Sequence, residues 1–161
     1  IRNCDCPVIA KVHGACFTGA LELALHCDLI YTTEDTKFGD THAKFGLRPT
    51  WGMSQTLSRA IGVRRAKELS FTARTISGEE AARLGLVNAA VQNQTLLDEL
   101  VTIRTRQIVS NSQSTVAAMK DLYGISQLGL SLDNSLQVEL NRNYPSIRDT
   151  NARLSSFKSK G

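Results

Sequence analysis

Apolar and polar positions change their period along this chain. Residues 7–12 (PVIAKV) form a short β-rich apolar run and predict a buried strand, ended by His13-Gly14-Ala15. Residues 18–27 (TGALELALHC) are rich in Ala and Leu, with Thr18 placed to cap, and predict a helix. That helix is apolar on nearly every face, which predicts burial all round. Residues 28–33 (DLIYTT) read as a second strand, and Lys37-Phe38-Gly39 as a short extended piece after a turn at Glu34-Asp35.

Residues 46–53 (GLRPTWGM) hold two glycines and a proline and read as a loop. Helices are predicted over 54–61, stopped by Gly62, and over 64–71. Ser77 followed three residues later by Glu80 is a capping pattern, and the helix it opens should stop at Gly85. Residues 86–91 (LVNAAV) predict a strand. From Thr95 the periodicity is helical, with helices expected over 96–110, 112–123, 131–143 and 147–159. The pattern therefore predicts an α/β chain in two parts, strand and helix alternating over 1–92 and helices alone over 93–161.

Composition narrows this picture. The chain has 161 residues, about one ordinary domain, with 42% hydrophobic and 21% charged positions, which excludes a disordered chain. The net charge of +4 is spread out and makes no nucleic-acid footprint. No apolar run of about 18 residues predicts a membrane span, and no signal-peptide pattern opens the sequence. The chain begins with Ile1, which suggests processing or a piece of something longer. Cys4, Cys6, Cys16 and Cys27 crowd the start without metal-ligand spacing, so reduced thiols in an intracellular protein are expected and no metal site is. Walker, G-x-G-x-x-G, H-E-x-x-H and G-x-S-x-G motifs are absent.

Four positions could carry chemistry. Glu22 stands inside the apolar run GALELAL, where a carboxylate is costly unless paired or hydrogen-bonded. It is either a catalytic acid or base, or a partner of His26 four residues on. Gly19 lies in the first helical turn, where a backbone N–H without an intrahelical partner could hold an oxyanion; a packing glycine is the alternative. His42, in GDTHAKFG, is either an acid/base group or a solvated loop histidine. Trp51, the single tryptophan, is either the wall of an apolar pocket or a core anchor.

The segments PVIAKVHG, GALELALHCDLIY, TKFGD, GLRPTWGMSQTLSRAIG and ARTISGEEAARLGLVNAAV, in this order, resemble the enoyl-CoA hydratase (crotonase) superfamily over nearly all of the chain. The resemblance implies a spiral of β-β-α turns, here partial, followed by a helical C-terminal region that packs into trimers or hexamers. It implies an acyl-CoA thioester as substrate and no cofactor. Two backbone N–H groups hold the thioester oxygen in that family, and one matches Gly19; the other comes from a segment that would precede Ile1. Of the family's two water-holding glutamates the first matches Glu22, while the second position is His42, a departure. Pro49-Thr50-Trp51-Gly52 replaces the usual Pro-Gly stretch, so Thr50 and Trp51 would reshape the acyl pocket, with Ala20 beside Gly19 among the substrate contacts. Phe157 and Lys160 resemble the family's C-terminal segment, whose lysine reaches CoA.

The expected function is hydration of a trans-2-enoyl-CoA by Glu22, His42 and the Gly19 N–H. The alternatives are an isomerase or other chemistry on the same scaffold, which the missing second glutamate favours, and a non-catalytic truncated paralogue. The compartment implied is the cytoplasm or an organellar matrix, with neither membrane nor nucleic acid as partner.

Overall fold

The computed structural model describes residues 1–158. Two sheets are built from very short strands that the chain visits in alternation. Ile9–Val12 is β1 and Ala15–Phe17 is β2, followed by helix α1, Gly19–Ala24. Leu29–Thr33 is β3 and Lys37–Gly39 is β4. A 3-10 turn at Ala43–Phe45 leads to α2, Met53–Ile61, and α3, Val63–Thr72. Ile76–Ser77 is β5, Gly78–Leu84 is α4 and Ala89–Val91 is β6. The helices α5 (Gln94–Ser110), α6 (Gln113–Ile125), α7 (Leu132–Asn141) and α8 (Thr150–Lys158) complete the described chain.

One sheet has the order β1-β3-β6 and is parallel throughout, with Ile9 opposite Leu29 and Tyr31 opposite Ala89. The other has the order β2-β4-β5; β2 and β4 are parallel with Phe17 opposite Gly39, and β5 runs antiparallel to β4. Each of the first two turns of chain thus gives its first strand to one sheet and its second strand to the other. Parallel partners need a crossover, and α1 supplies it between β2 and β4. This is the alternating α/β part that the pattern predicts and the spiral that the resemblance implies.

The strand β2 lies where the sequence pattern reads only the end of β1. Its three residues are too few to show alternation, and its partner β4 is 22 positions away in register (Ala15 opposite Lys37). The helix predicted over 18–27 is shorter, Gly19–Ala24, and only one face is covered: Leu21, Glu22 and Ala24 are buried while Leu23 is exposed. Thr18 precedes the helix but makes no side-chain capping bond. The Ser77 cap is as expected, its Oγ accepting the Glu80 N–H at 3.1 Å, and α4 ends at Gly85.

Two compact units share the chain, residues 1–4 with 8–104, and residues 5–7 with 105 onward. In the first, Phe38, Leu21, Met53, Leu57, Leu69 and Ile76 are fully buried. Met53, Leu57 and Ile61 recur every fourth residue along α2 and form its buried stripe. α4 packs tightly on β3: a side-chain carbon on Gly78 would stand 2.0 Å from the Thr33 carbonyl oxygen. In the second unit, Ser112 caps α6 and its hydroxyl donates to Asp149 Oδ1 at 2.7 Å. Lys120 Nζ donates to the Cys6 carbonyl and fastens residues 5–7 to this unit. Leu128, Leu130, Leu132, Leu136 and Leu140 are exposed there. None of the four cysteines is in a disulfide. Among the described residues no helix is long and apolar enough to cross a membrane.

Candidate active site

The pairing of β2 with β4 decides where the candidate residues meet. Because the strands are parallel with Phe17 opposite Gly39, both chains leave the sheet at the same edge. One exit leads through Thr18 into Gly19 and Glu22, the other into Asp40 and His42. Ligand sites in open α/β folds commonly lie beyond such carboxyl ends. Thr18 makes the first exit turn at φ 43° and ψ −111°, with its N–H donating to the Gly39 carbonyl at 3.1 Å and its carbonyl accepting the Glu22 N–H at 2.8 Å.

Glu22 is 3% exposed, yet it is not isolated. Its Oε1 accepts the backbone N–H of Trp51 at 3.0 Å and of Met53 at 3.1 Å. Met53 opens α2, whose first N–H groups have no intrahelical partner, so Glu22 satisfies that end of α2 and is itself stabilised by the helix dipole. Gly52 between the two donors sits at φ 103°, a conformation that bends both N–H groups toward one oxygen and suits glycine. The pairing with His26 expected from the four-residue spacing does not form. α1 has ended, and His26 Nε2 lies 2.7 Å from the Trp51 carbonyl instead. The other ring nitrogen, Nδ1, is buried without a partner.

The second carboxylate oxygen of Glu22 faces His42. His42 is 8% exposed, so it is no solvated loop residue. Its Nε2 stands 3.8 Å from Glu22 Oε2, beyond a direct hydrogen bond. Its Nδ1 lies 2.6 Å from Oδ1 of Asp40, which also accepts the His42 backbone N–H at 3.2 Å. Asp40 is 3% exposed, and its Oδ2 accepts the Ser70 hydroxyl of α3 at 2.6 Å. A file of side chains, Ser70, Asp40, His42 and Glu22, therefore runs from α3 to α1, hydrogen-bonded up to His42 and open by 3.8 Å between His42 and Glu22.

Of the residues singled out from the sequence, Gly19, Glu22, His42 and Trp51 come together. Trp51 is 64% exposed and is not a core anchor; its indole lies over Gly19, where a side-chain carbon would be 3.4 Å from Cζ3. Ala20 and Thr50 are exposed next to Gly19 and Trp51 in the chain. Phe157, in α8, is exposed, and Lys160 lies outside the described residues. Asp40 and Ser70 were not legible as site residues. The one signal was an Asp two positions before His42 directly after an extended stretch. Among the described residues no group of three or more His, Cys, Asp or Glu side chains forms a metal site.

Four matches to known proteins bear on this arrangement. The family model described as enoyl-CoA hydratase/isomerase matches residues 1–158. The chain is 38% identical over 136 residues to a probable peroxisomal enoyl-CoA hydratase 1 of Arabidopsis thaliana, covering 84% of this chain and 51% of that protein. Among solved structures, it superposes on the enoyl-CoA hydratase of Bacillus anthracis with a TM-score of 0.92 at 34% identity, covering 99% of this chain and 62% of the other. A putative enoyl-CoA hydratase of Thermobifida fusca YX, solved in complex with acetoacetyl-CoA, matches with a TM-score of 0.81 at 30% identity over 96% of this chain and 57% of its own. The chain spans about half the length of the first relatives it matches.

Proposed function

The chain belongs to the enoyl-CoA hydratase/isomerase family, and on that premise we propose that it acts on acyl-CoA thioesters and adds water across a trans-2-enoyl double bond. The observation that carries this reading is the 3.8 Å gap between Glu22 Oε2 and His42 Nε2. A water oxygen about 2.8 Å from each atom closes a triangle on that base and is held by both. Glu22 Oε2 takes a proton from this water as its oxygen bonds to C3. The double-bond electrons move toward the thioester oxygen, where the Gly19 N–H holds the growing charge. That proton passes from Glu22 Oε2 to His42 Nε2, which delivers it to C2, so both groups end as they began. Water is consumed, no oxidation state changes overall, and no redox cofactor is required.

Two further features support acyl-CoA chemistry here. The Trp51 indole beside Gly19 offers an apolar wall for the acyl chain, with Ala20 and Thr50 as neighbouring contacts. The exposed leucines of the helical unit suit burial against further copies of the chain, a trimer or hexamer. An acyl-CoA-containing compartment, the cytoplasm or an organellar matrix, is part of the same proposal.

The test is a short trans-2-enoyl-CoA added to the purified protein, with loss of the conjugated absorbance followed and the product identified by mass. Hydration is expected, falling by about 10²–10⁴ in Glu22→Gln. Wild-type turnover in that variant overturns the assignment. A second reading, movement of the double bond, is favoured by the division of labour within Glu22: Oε1 is engaged by two N–H groups, and Oε2 alone can remove a proton and return it. A 3-hydroxyacyl-CoA product marks hydration, and a displaced double bond marks the second reading.

A further inference from the structure

Asp40 is a second buried carboxyl group, one that the reaction above leaves without a task. A carboxyl group 3% exposed is expensive to keep in a protein interior unless its oxygens are satisfied. Three groups converge on this one: the His42 backbone N–H, which donates to Oδ1, the His42 ring Nδ1, 2.6 Å from the same oxygen, and the Ser70 hydroxyl, which donates to Oδ2. Turning the chain into the 3-10 segment after His42 needs only the first of these. The other two serve the imidazole and the orientation of the carboxyl group itself.

We infer that Asp40, held by Ser70, is a positioning residue that fixes the tautomer and the aim of His42. An imidazole has two ring nitrogens, and its protonation pattern is set by what each one meets. Asp40 already receives directed hydrogens at both oxygens, from the His42 N–H and from Ser70, so it meets Nδ1 as an acceptor and Nδ1 carries the hydrogen. Nε2 is then the atom that gives and receives the moving proton. It is also the atom that faces Glu22 Oε2. A half-turn of the ring would break the 2.6 Å contact and carry Nε2 away from Glu22. Ser70, thirty positions away on α3, prevents Asp40 from rotating out of the pair. The groups that face the imidazole are Asp40 from its own loop and Glu22 from α1; Ser70 acts on it only through Asp40.

The kinetic side of this inference rests on the acyl-CoA reading, and its spectroscopic side does not. Nitrogen-15 labelling of the three histidines, with His42→Gln to assign the signal, reports which ring nitrogen bears hydrogen. Wild type is expected to show the Nδ1–H form at residue 42. In Asp40→Asn the Ser70 hydroxyl holds the amide oxygen, the amide NH₂ turns to Nδ1, and the hydrogen moves to Nε2. The same variant is expected to lose about 10²–10⁴ in kcat, the span seen when a histidine is held in the wrong tautomer, with KM within about threefold of wild type. Asp40→Glu should recover part of the loss, and Ser70→Ala should cost about tenfold in kcat at unchanged KM. An Nε2–H signal in the wild type, or wild-type kcat in Asp40→Asn, overturns the inference. Should Asp40→Asn fail to fold by thermal melting, the wild-type spectrum and Ser70→Ala decide. Absence of turnover in the wild type would defeat the acyl-CoA reading alone, leaving the tautomer of His42 to settle the role of Asp40.

Discussion

The indole of Trp51 covers Gly19, and the backbone N–H of the same residue holds Glu22 Oε1 at 3.0 Å. One loop residue therefore both walls the apolar side of the site and orients its carboxylate. The two functions are separable, because only the first belongs to the side chain.

Trp51→Ala removes the indole and keeps the N–H. The space above Gly19 opens while the Glu22 bonds stay. Preference should shift toward longer or branched acyl chains, with the ratio of kcat/KM for an eight-carbon over a four-carbon substrate rising about tenfold or more. Kinetics over a series of chain lengths measures this. An unchanged ratio would place the acyl chain away from Trp51.

Gly78→Ala is expected to disrupt folding. The added carbon would lie 2.0 Å from the Thr33 carbonyl oxygen and 3.0 Å from Thr32 Cγ2, so α4 has to move off β3. Overpacking of this kind typically costs about 1–3 kcal/mol, and a contact against rigid backbone belongs at or above the upper end. A urea midpoint lowered by that amount, with the slope unchanged, is the expected result.

Cys16 ties stability to alkaline pH. Burial pushes its thiol up to about 11 from an ordinary 9.0. The unfolded chain loses that proton near pH 9.0 and the folded chain only near 11, so between them the unfolded state binds fewer protons. The contribution is fully present below pH 9 and is lost as pH rises toward 11, with a slope of at most about 1.4 kcal/mol per pH unit. Urea unfolding of wild type and Cys16→Ala at pH 8, 9 and 10 isolates the effect. The difference between the two proteins should shrink with pH, and parallel curves would refute it.

Helices announced themselves in the sequence because their ends are local. Ser77 with Glu80 opens α4, and Ser112 and Ser131 cap α6 and α7 through bonds only three residues long. The strand β2 was invisible because nothing within its three residues distinguishes it; its partner β4 defines it. The end of α1 departs from the local pattern for a similar reason. Leu25 and His26 have helical neighbours and helical spacing, but the carbonyl of Trp51, from a loop 25 residues away, claims the His26 ring. In the site, Glu22 and Gly19 were legible because an acidic residue and a glycine are conspicuous in an apolar helix. Asp40 and Ser70 belong to different elements, and only the packing of α3 against the end of β4 makes them one group with His42.

The turn at Thr18 has a mechanical meaning for this arrangement. A β-branched residue held at φ 43° carries torsional strain, on the order of 1–3 kcal/mol. The hydrogen bonds that keep it there run to the Gly39 carbonyl on one side and from the Glu22 N–H on the other. Those are the chain segments that carry His42 and Glu22. The strain at residue 18 is therefore borne by the same two bonds that set the spacing between the two side chains. A glycine in this turn would relax the backbone and raise stability, and it would also slacken the short hydrogen-bonded link between the chain segments that carry the two halves of the site.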